Sequence, residues 1–216
     1  MTRLLLSLAA ALSVVAIVAA GTGTTFSAFS GSTASPGNTF AAAASFGGCS
    51  SAGTVTASAN IDSWVDQASA GSNFGNDQIL KLKRETGSKA NRALVRFNLP
   101  AVPSGCTVTG ASLRLFAASA STGRTMQAFR INPTQSWAEN GVRWNNQPGT
   151  TGTAATTSSV SGWNQWTVTS QVQAMYSATN NGFLVKFDVE TNPVAEMQFH
   201  ARNKGSQHPE LRITFG

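Results

Sequence analysis

Seven cationic side chains in this 216-residue sequence fall at the polar positions of alternating stretches: Lys81, Lys83, Arg92, Arg96, Arg114, Lys186 and Arg212. Ammonium and guanidinium groups recognise carboxylates and phosphates through charge-assisted hydrogen bonds, arginine in a two-pronged fork. If their strands are neighbours, the seven make one positive sheet face that can hold an anionic polymer. If not, they are solvated charges that keep sheet edges from pairing with other molecules.

Tryptophan is the second chemical resource. Trp64, Trp137, Trp144, Trp163 and Trp166 are many for this length. An exposed indole offers a flat face on which sugar C–H bonds stack, whereas a buried one fills a core and gives its N–H to a carbonyl. Trp163, beside glycine-rich sequence, is the one expected to be exposed. Trp137 and Trp144, followed by Asn145, Asn146 and Pro148, read as a structural corner.

Other chemistries have weaker support. Asp62, Asp66, Asn73, Asn76 and Asp77 offer oxygen atoms near turns, which suit a structural calcium ion or the satisfaction of turn N–H groups. Their spacing matches no EF-hand. His200 and His208 are the only histidines, so a zinc site is not expected, nor is any cofactor. Nine carboxylates form no recognisable glycosidase pair, and no Gly-x-Ser-x-Gly elbow occurs. Tyr176, His200 and Arg202 are what a small polysaccharide lyase would need, although Tyr176 falls in a short helix and Arg202 can instead pair with Glu196 or Glu139.

These side chains must be positioned by strands. Ala93, Val95, Phe97 and Leu99 alternate against Arg92 and Arg96; Leu113 and Leu115 oppose Arg114. Period-two alternation marks half-buried strands, and Pro100, Pro103 and Gly105 break the ladder between these two. Further strands are expected at 54–58, 61–65, 79–83, 125–132, 163–169, 182–188, 198–202 and 211–215. One helix is expected over 170–177, capped by Ser170, with Val172, Met175 and Tyr176 on one face. Residues 149–162 read as a loop of small residues. The pattern predicts an all-β chain, a jelly-roll-type antiparallel β-sandwich with one short helix.

The charged fraction is low, 11%, and the formal net charge is +6. A basic surface favours uronic-acid polymers, teichoic acids or nucleic acid. Nucleic acid is the weakest of these, because the cations are spread singly and no helix-turn-helix, zinc or RNA-binding signature accompanies them. Met1-Thr2-Arg3 followed by an apolar run to Ala20 reads as a signal peptide over 1–20, so contact with the membrane is transient, through the leader; a retained anchor is the alternative. Residues 21–48 read as a flexible linker, and 49–216 as the domain. An even pair of cysteines in an exported chain, Cys49 and Cys106, reads as one disulfide, with two buried thiols as the alternative.

Two resemblances bear on this. Thr24-Thr-Phe-Ser-Ala-Phe-Ser with Gly37-Asn-Thr-Phe40 is similar to the segment after the signal in the camelysin and biofilm-fibre family, with Gly31 where an aspartate is usual. It implies export, and not fibre formation. From Cys49 onward the chain resembles the DNRLRE domain family, related to carbohydrate-binding module family 96. The matching pieces are Asp62-Ser-Trp-Val65, Asn73-Phe-Gly75, Arg92 to Pro100, Ala111 to Phe116, Trp137-Ala-Glu139, Val142 to Pro148, Trp166 to Thr169 with Val172-Gln173, Gly182-Phe-Leu184, Phe199 to Arg202 and Pro209 to Phe215. The resemblance implies a jelly-roll sandwich, extracellular or on the cell surface, that binds polysaccharide, in some relatives an acidic one, without catalysis. A purely structural wall or matrix spacer is the alternative.

Overall fold

The computed structural model describes residues 48–87, 89–119, 122–190 and 194–216. The expected leader and all but the last residue of the expected linker lie outside the described residues. The strands are β1 (Gly53–Asp66), β2 (Ile79–Arg84), β3 (Asn91–Phe97), β4 (Val108–Ser119), β5 (Thr125–Ile131), β6 (Thr150–Ser158), β7 (Gly162–Thr167), β8 (Phe183–Phe187), β9 (Val194–His200) and β10 (Glu210–Phe215). The helix α1 (Thr169–Tyr176) follows β7. Among the described residues no helix is long and apolar enough to cross a membrane.

The strands form an antiparallel β-sandwich. The first layer joins the N-terminal half of β1 to β10, then β4, which carries β7 on one side and β9 further along, and β9 pairs with β2. The second layer runs from the C-terminal half of β1 through β3, β8, β5 and β6. Two strands connect the layers. The register shift between Ala59 and Ile61 bends β1 from one into the other, and β2 meets β3 at Lys83↔Asn91. The two short segments expected at 54–58 and 61–65 are therefore one bent strand, the bulge supplying the extra twist.

The core lies between the layers. Leu113, Leu115, Ile213 and Phe199 face Val95, Phe97, Phe183 and Met126, all at 1% exposure or less. A smaller cluster of Val65, Leu94, Ile131, Trp137, Val142 and Leu184 lies on the far side of the second layer. Its members on β1, β3 and β8 alternate with the core residues, so this layer is apolar on both faces. The segment 132–149 contributes Trp137 and Val142 to that cluster.

Two further local expectations change. Residues 150–158, read as loop, form β6, paired with β5 from Thr125↔Ser158 to Ile131↔Thr150. Its small polar side chains at a sheet edge bury little, so they leave no alternation in the sequence. The helix starts at Thr169, so Ser170 lies inside its first turn; the N-cap, Val168, makes no side-chain cap. Thr169 Oγ1 instead accepts from Ala111 N at 3.0 Å. The sequence left open whether β3 and β4 are neighbours; they do not pair, but lie in opposite layers and meet through the core.

Glycine is obligatory before β8. Gly182 has φ +81°, and a Cβ there would stand 2.2 Å from the Val95 carbonyl oxygen, so the chain passes against β3 only without a side chain.

Candidate functional site

Sequence pieces far apart in the chain meet near the C-terminal end of β1. Trp64 stacks on Phe74 (centroids 3.8 Å) and donates from Nε1 to Asp77 Oδ2 at 2.8 Å. Asn73 Nδ2 donates to the carbonyls of Glu139 (2.8 Å) and Val142 (2.7 Å). Arg202 forks onto Glu139, Nε to Oε1 and Nη2 to Oε2, both at 2.5 Å. Glu139 Oε1 also accepts from Asp62 N, and Asp62 Oδ2 accepts from Arg202 N at 2.7 Å. Gly75 packs so closely that a Cβ would lie 2.3 Å from the Glu139 carbonyl oxygen. Most of these polar groups are turned inward and consumed by one another. The cluster is a clasp joining β1, the 66–79 loop, the 132–149 segment and the chain after β9.

The clasp holds one strained charge. Burial drives the Asp62 carboxyl from 3.8 up to about 7, and the Glu139 carboxylate adds to the rise; the Arg202 N–H and guanidinium oppose it. Burial alone would raise Glu139 as well, but the Arg202 hydrogen bonds and the Asp62 N–H together outweigh it and move that carboxyl down. Of the five side chains considered for calcium, Asp62, Asp66, Asn73, Asn76 and Asp77, all but Asn76 accept a hydrogen bond within the protein. Asp62 accepts from Arg202 N, Asn73 Oδ1 from Gly75 N, Asp77 from the Trp64 indole and Asp66 Oδ1 from Ala68 N. Among the described residues no three His, Cys, Asp or Glu side chains are grouped to hold a metal ion.

The seven cations do not share one face. Lys81, Arg114 and Arg212 alternate outward on β2, β4 and β10 of the first layer, and Lys83 sits where β2 meets β3. Arg92, Arg96 and Lys186 lie on the outer side of the second layer. The division follows from the placement of β3 and β4 in opposite layers. Six of the seven have carboxylate partners: Lys81–Glu196, Lys83–Glu85, Arg92–Glu190, Arg114–Glu210, Lys186–Glu190 and Arg212–Glu210. Three of these carboxylates serve two cations each: Glu210 (Arg114, Arg212), Glu190 (Arg92, Lys186) and Glu85 (Lys83, Lys89). Each cluster therefore keeps one positive charge in excess.

On the first layer the surplus borders a groove. A shallow depression of about 480 Å³ crosses β1, β10, β4 and β7, bounded by Thr54, Ser112, Thr167, Thr214, Gln165 and Arg212 among others. Gly110 is also among its lining residues. Arg114 is held by Glu210 at 2.6 Å, while Arg212 is 3.5 Å from the same carboxylate and 48% exposed. Two residues before Gln165 on β7 stands Trp163, half-buried rather than exposed as expected. Phe116 meets it edge-on at 5.4 Å, His200 lies against Phe116 at 5.1 Å, and the Arg114 guanidinium sits 4.3 Å from the Trp163 ring. The sequence offered Trp163 and the arginines, and His200 only as a lyase group; it did not single out Phe116 or the hydroxyls, whose types are common and whose adjacency arises only across strands.

The second layer has its own depressions on either side of Arg92. One, about 430 Å³, is lined by Trp144, Gln67, Glu85, Thr86, Gly87, Arg92 and Glu190; the other, about 210 Å³, by Lys186, Phe129 and the 148–150 turn among others.

The groups that lyase chemistry would need are separate. Tyr176 donates to the Pro100 carbonyl and packs on Phe215, which pairs with Gly53 at the start of β1. Arg202 is locked at the other end of β1, and the His200 ring contacts Ser206 O on the outer face of the first layer. Cys49 and Cys106 form a disulfide, joining residues 57 apart in sequence.

The model of carbohydrate-binding module family 96 matches residues 53–215, the span from the start of β1 to the last residue of β10. No curated protein matches the chain.

Proposed function

The chain belongs to carbohydrate-binding module family 96, and from that premise we propose that it is an exported, non-catalytic module that holds an acidic polysaccharide along the outer face of its first layer. The observation that carries this reading is the sharing of Glu210 by Arg114 and Arg212 beside a hydroxyl-lined groove. Arg114 is oriented by its short pair, and the looser, half-exposed Arg212 is available to a carboxylate on the ligand. Threonine and serine hydroxyls and the Gln165 amide match the hydroxyls of a sugar chain, and Trp163, two residues from Gln165 along β7, offers a stacking surface. The disulfide supports a site of action outside the reducing cytoplasm.

Calorimetric titration with polyuronate oligosaccharides tests this. Arg212→Ala removes a charge-assisted hydrogen bond worth about 1.5 kcal/mol, so affinity is expected to fall about tenfold. Binding is also expected to weaken as salt rises. Unchanged affinity in Arg212→Ala and Trp163→Ala would reject this face as the site. The ion pairing of six of the seven cations favours a second reading, a matrix spacer with no ligand, and the absence of binding to any glycan would select it.

A further inference from the structure

Of the five indoles, three give their N–H to the protein: Trp64 to Asp77, Trp137 to the Asn181 carbonyl and Trp166 to the Met126 carbonyl. The other two, Trp144 and Trp163, have no protein acceptor among the described residues, and each is only partly buried. They lie on opposite outer faces of the sandwich. Trp163 belongs to the first-layer face that carries Arg212. We propose that Trp144 marks a second saccharide site, on the outer face of the second layer, that takes an uncharged sugar residue.

The platform is built rather than incidental. Trp144 opens a 3₁₀ turn, Trp144–Asn146. Asn146 Oδ1 accepts from Arg143 N at 2.6 Å, its Nδ2 donates to Gly141 O at 3.1 Å, and Asn145 N donates to Ala70 O at 3.3 Å. The Arg92 guanidinium lies 4.4 Å from the indole ring and is itself fixed. It forks onto Glu190, Nε at 2.7 Å and Nη2 at 2.6 Å, and gives Nη1 to Gln147 Oε1 at 3.1 Å. Gln147 in turn donates to Trp144 O. The indole is therefore held in place before any ligand arrives, which reduces the ordering cost of binding.

The neighbouring depression has the size and chemistry of a sugar subsite. Its 430 Å³ accommodates a pyranose ring, and its wall combines one aromatic surface with the carboxylates of Glu85 and Glu190 and the amide of Gln67. Carboxylate oxygens accept from vicinal sugar hydroxyls, the free indole N–H donates to one, and the partly positive C–H face of the ring meets the electron-rich indole. Charge sets the ligand class. The guanidinium in the lining is already committed, Nε and Nη2 to Glu190 and Nη1 to Gln147, so a uronate or sulfate finds no loosely held guanidinium to receive it there, unlike at Arg212. The inference rests on the carbohydrate-binding reading but not on the first face. It makes the module bivalent, one sandwich holding two chains of different charge.

The test titrates the full chain with hexasaccharides of glucose, mannose, xylose and galactose, following heat and tryptophan fluorescence, with polyuronate in parallel. At least one neutral hexasaccharide is expected to bind with an affinity that does not change with salt. Trp144→Ala should weaken it at least tenfold and leave polyuronate binding intact, whereas Trp163→Ala should do the reverse. Because Trp144 also packs against the small cluster, Thr86→Leu provides a check from an exposed loop: it narrows the pocket mouth, and the same loss is expected with an unchanged melting temperature. Polyuronate binding without any neutral binding, or neutral binding that survives Trp144→Ala and Thr86→Leu, overturns the second site alone. Failure of every glycan overturns both readings.

Discussion

Asp62→Asn is expected to make the domain more stable at alkaline pH and to leave it unchanged in acid. Asp62 is 1% exposed, and its carboxyl is raised from 3.8 to about 7, chiefly by burial. A carboxyl raised on folding favours the folded state while it is protonated. That stability is complete below the unfolded value near 3.8 and is lost as pH rises through about 7. Three units of difference correspond to about 4 kcal/mol over the whole window, of which about 2.5 kcal/mol falls between pH 5 and 8. Glu139 and Glu85 move the other way. Their contribution is present above about 4.5 and disappears only in acid, so work above pH 5 keeps it constant. Asparagine is isosteric, can still accept from Arg202 N, and never ionises. Urea unfolding followed by tryptophan fluorescence should show wild-type stability falling toward pH 8 relative to the variant, with the two curves converging near pH 5 to within about 1.5 kcal/mol. Parallel curves across the range would show that Asp62 is ionised in the fold at its ordinary value, and that the clasp carries its charge without cost.

Two further outcomes follow from the packing. Gly182→Ala requires a side chain 2.2 Å from the Val95 carbonyl at φ +81°; about 3 kcal/mol or more of destabilisation is expected, from backbone strain plus overpacking, read as a lower urea midpoint. Replacing Cys49 and Cys106 together by serine opens a loop of 57 residues. Chain entropy puts the loss at about 4 kcal/mol, and an unchanged urea midpoint in the double variant would count against it.

Much of the fold was legible because burial on one side of a pleat writes a period of two into the chain. The alternations at 92–97, 111–116, 182–188 and 211–215 all mark strands whose inward residues are buried, whereas Leu99, expected to continue the first of them, lies past the end of β3 and is only partly buried. The edge strand β6 was not legible, because Thr150–Ser158 buries little and its pairing is made by backbone alone. The helix was found, but its start was misplaced by one residue, since Thr169 bonds to Ala111 across the fold rather than to its own first turn. Tryptophan roles were only half legible: Trp144 carries the composition of a structural corner and is one, yet its indole also borders a pocket.

The sequence by itself determined which residues of the alternating strands face the core and that cations would stand on the opposite side, because outward and inward are local consequences of the pleat; it did not show that Trp137 and Val142 would cover part of that opposite side at Leu94 and Leu184. It could not determine which strands are neighbours. The crossing between Phe97 and Val108 sends β3 and β4 into opposite layers, so cations that alternate identically along the chain end on opposite surfaces. Glu190 and Glu210, distant in sequence from Arg92 and Arg114, then arrive beside them. Charge acts through space over a few ångströms, and only tertiary structure decides which charges are that close.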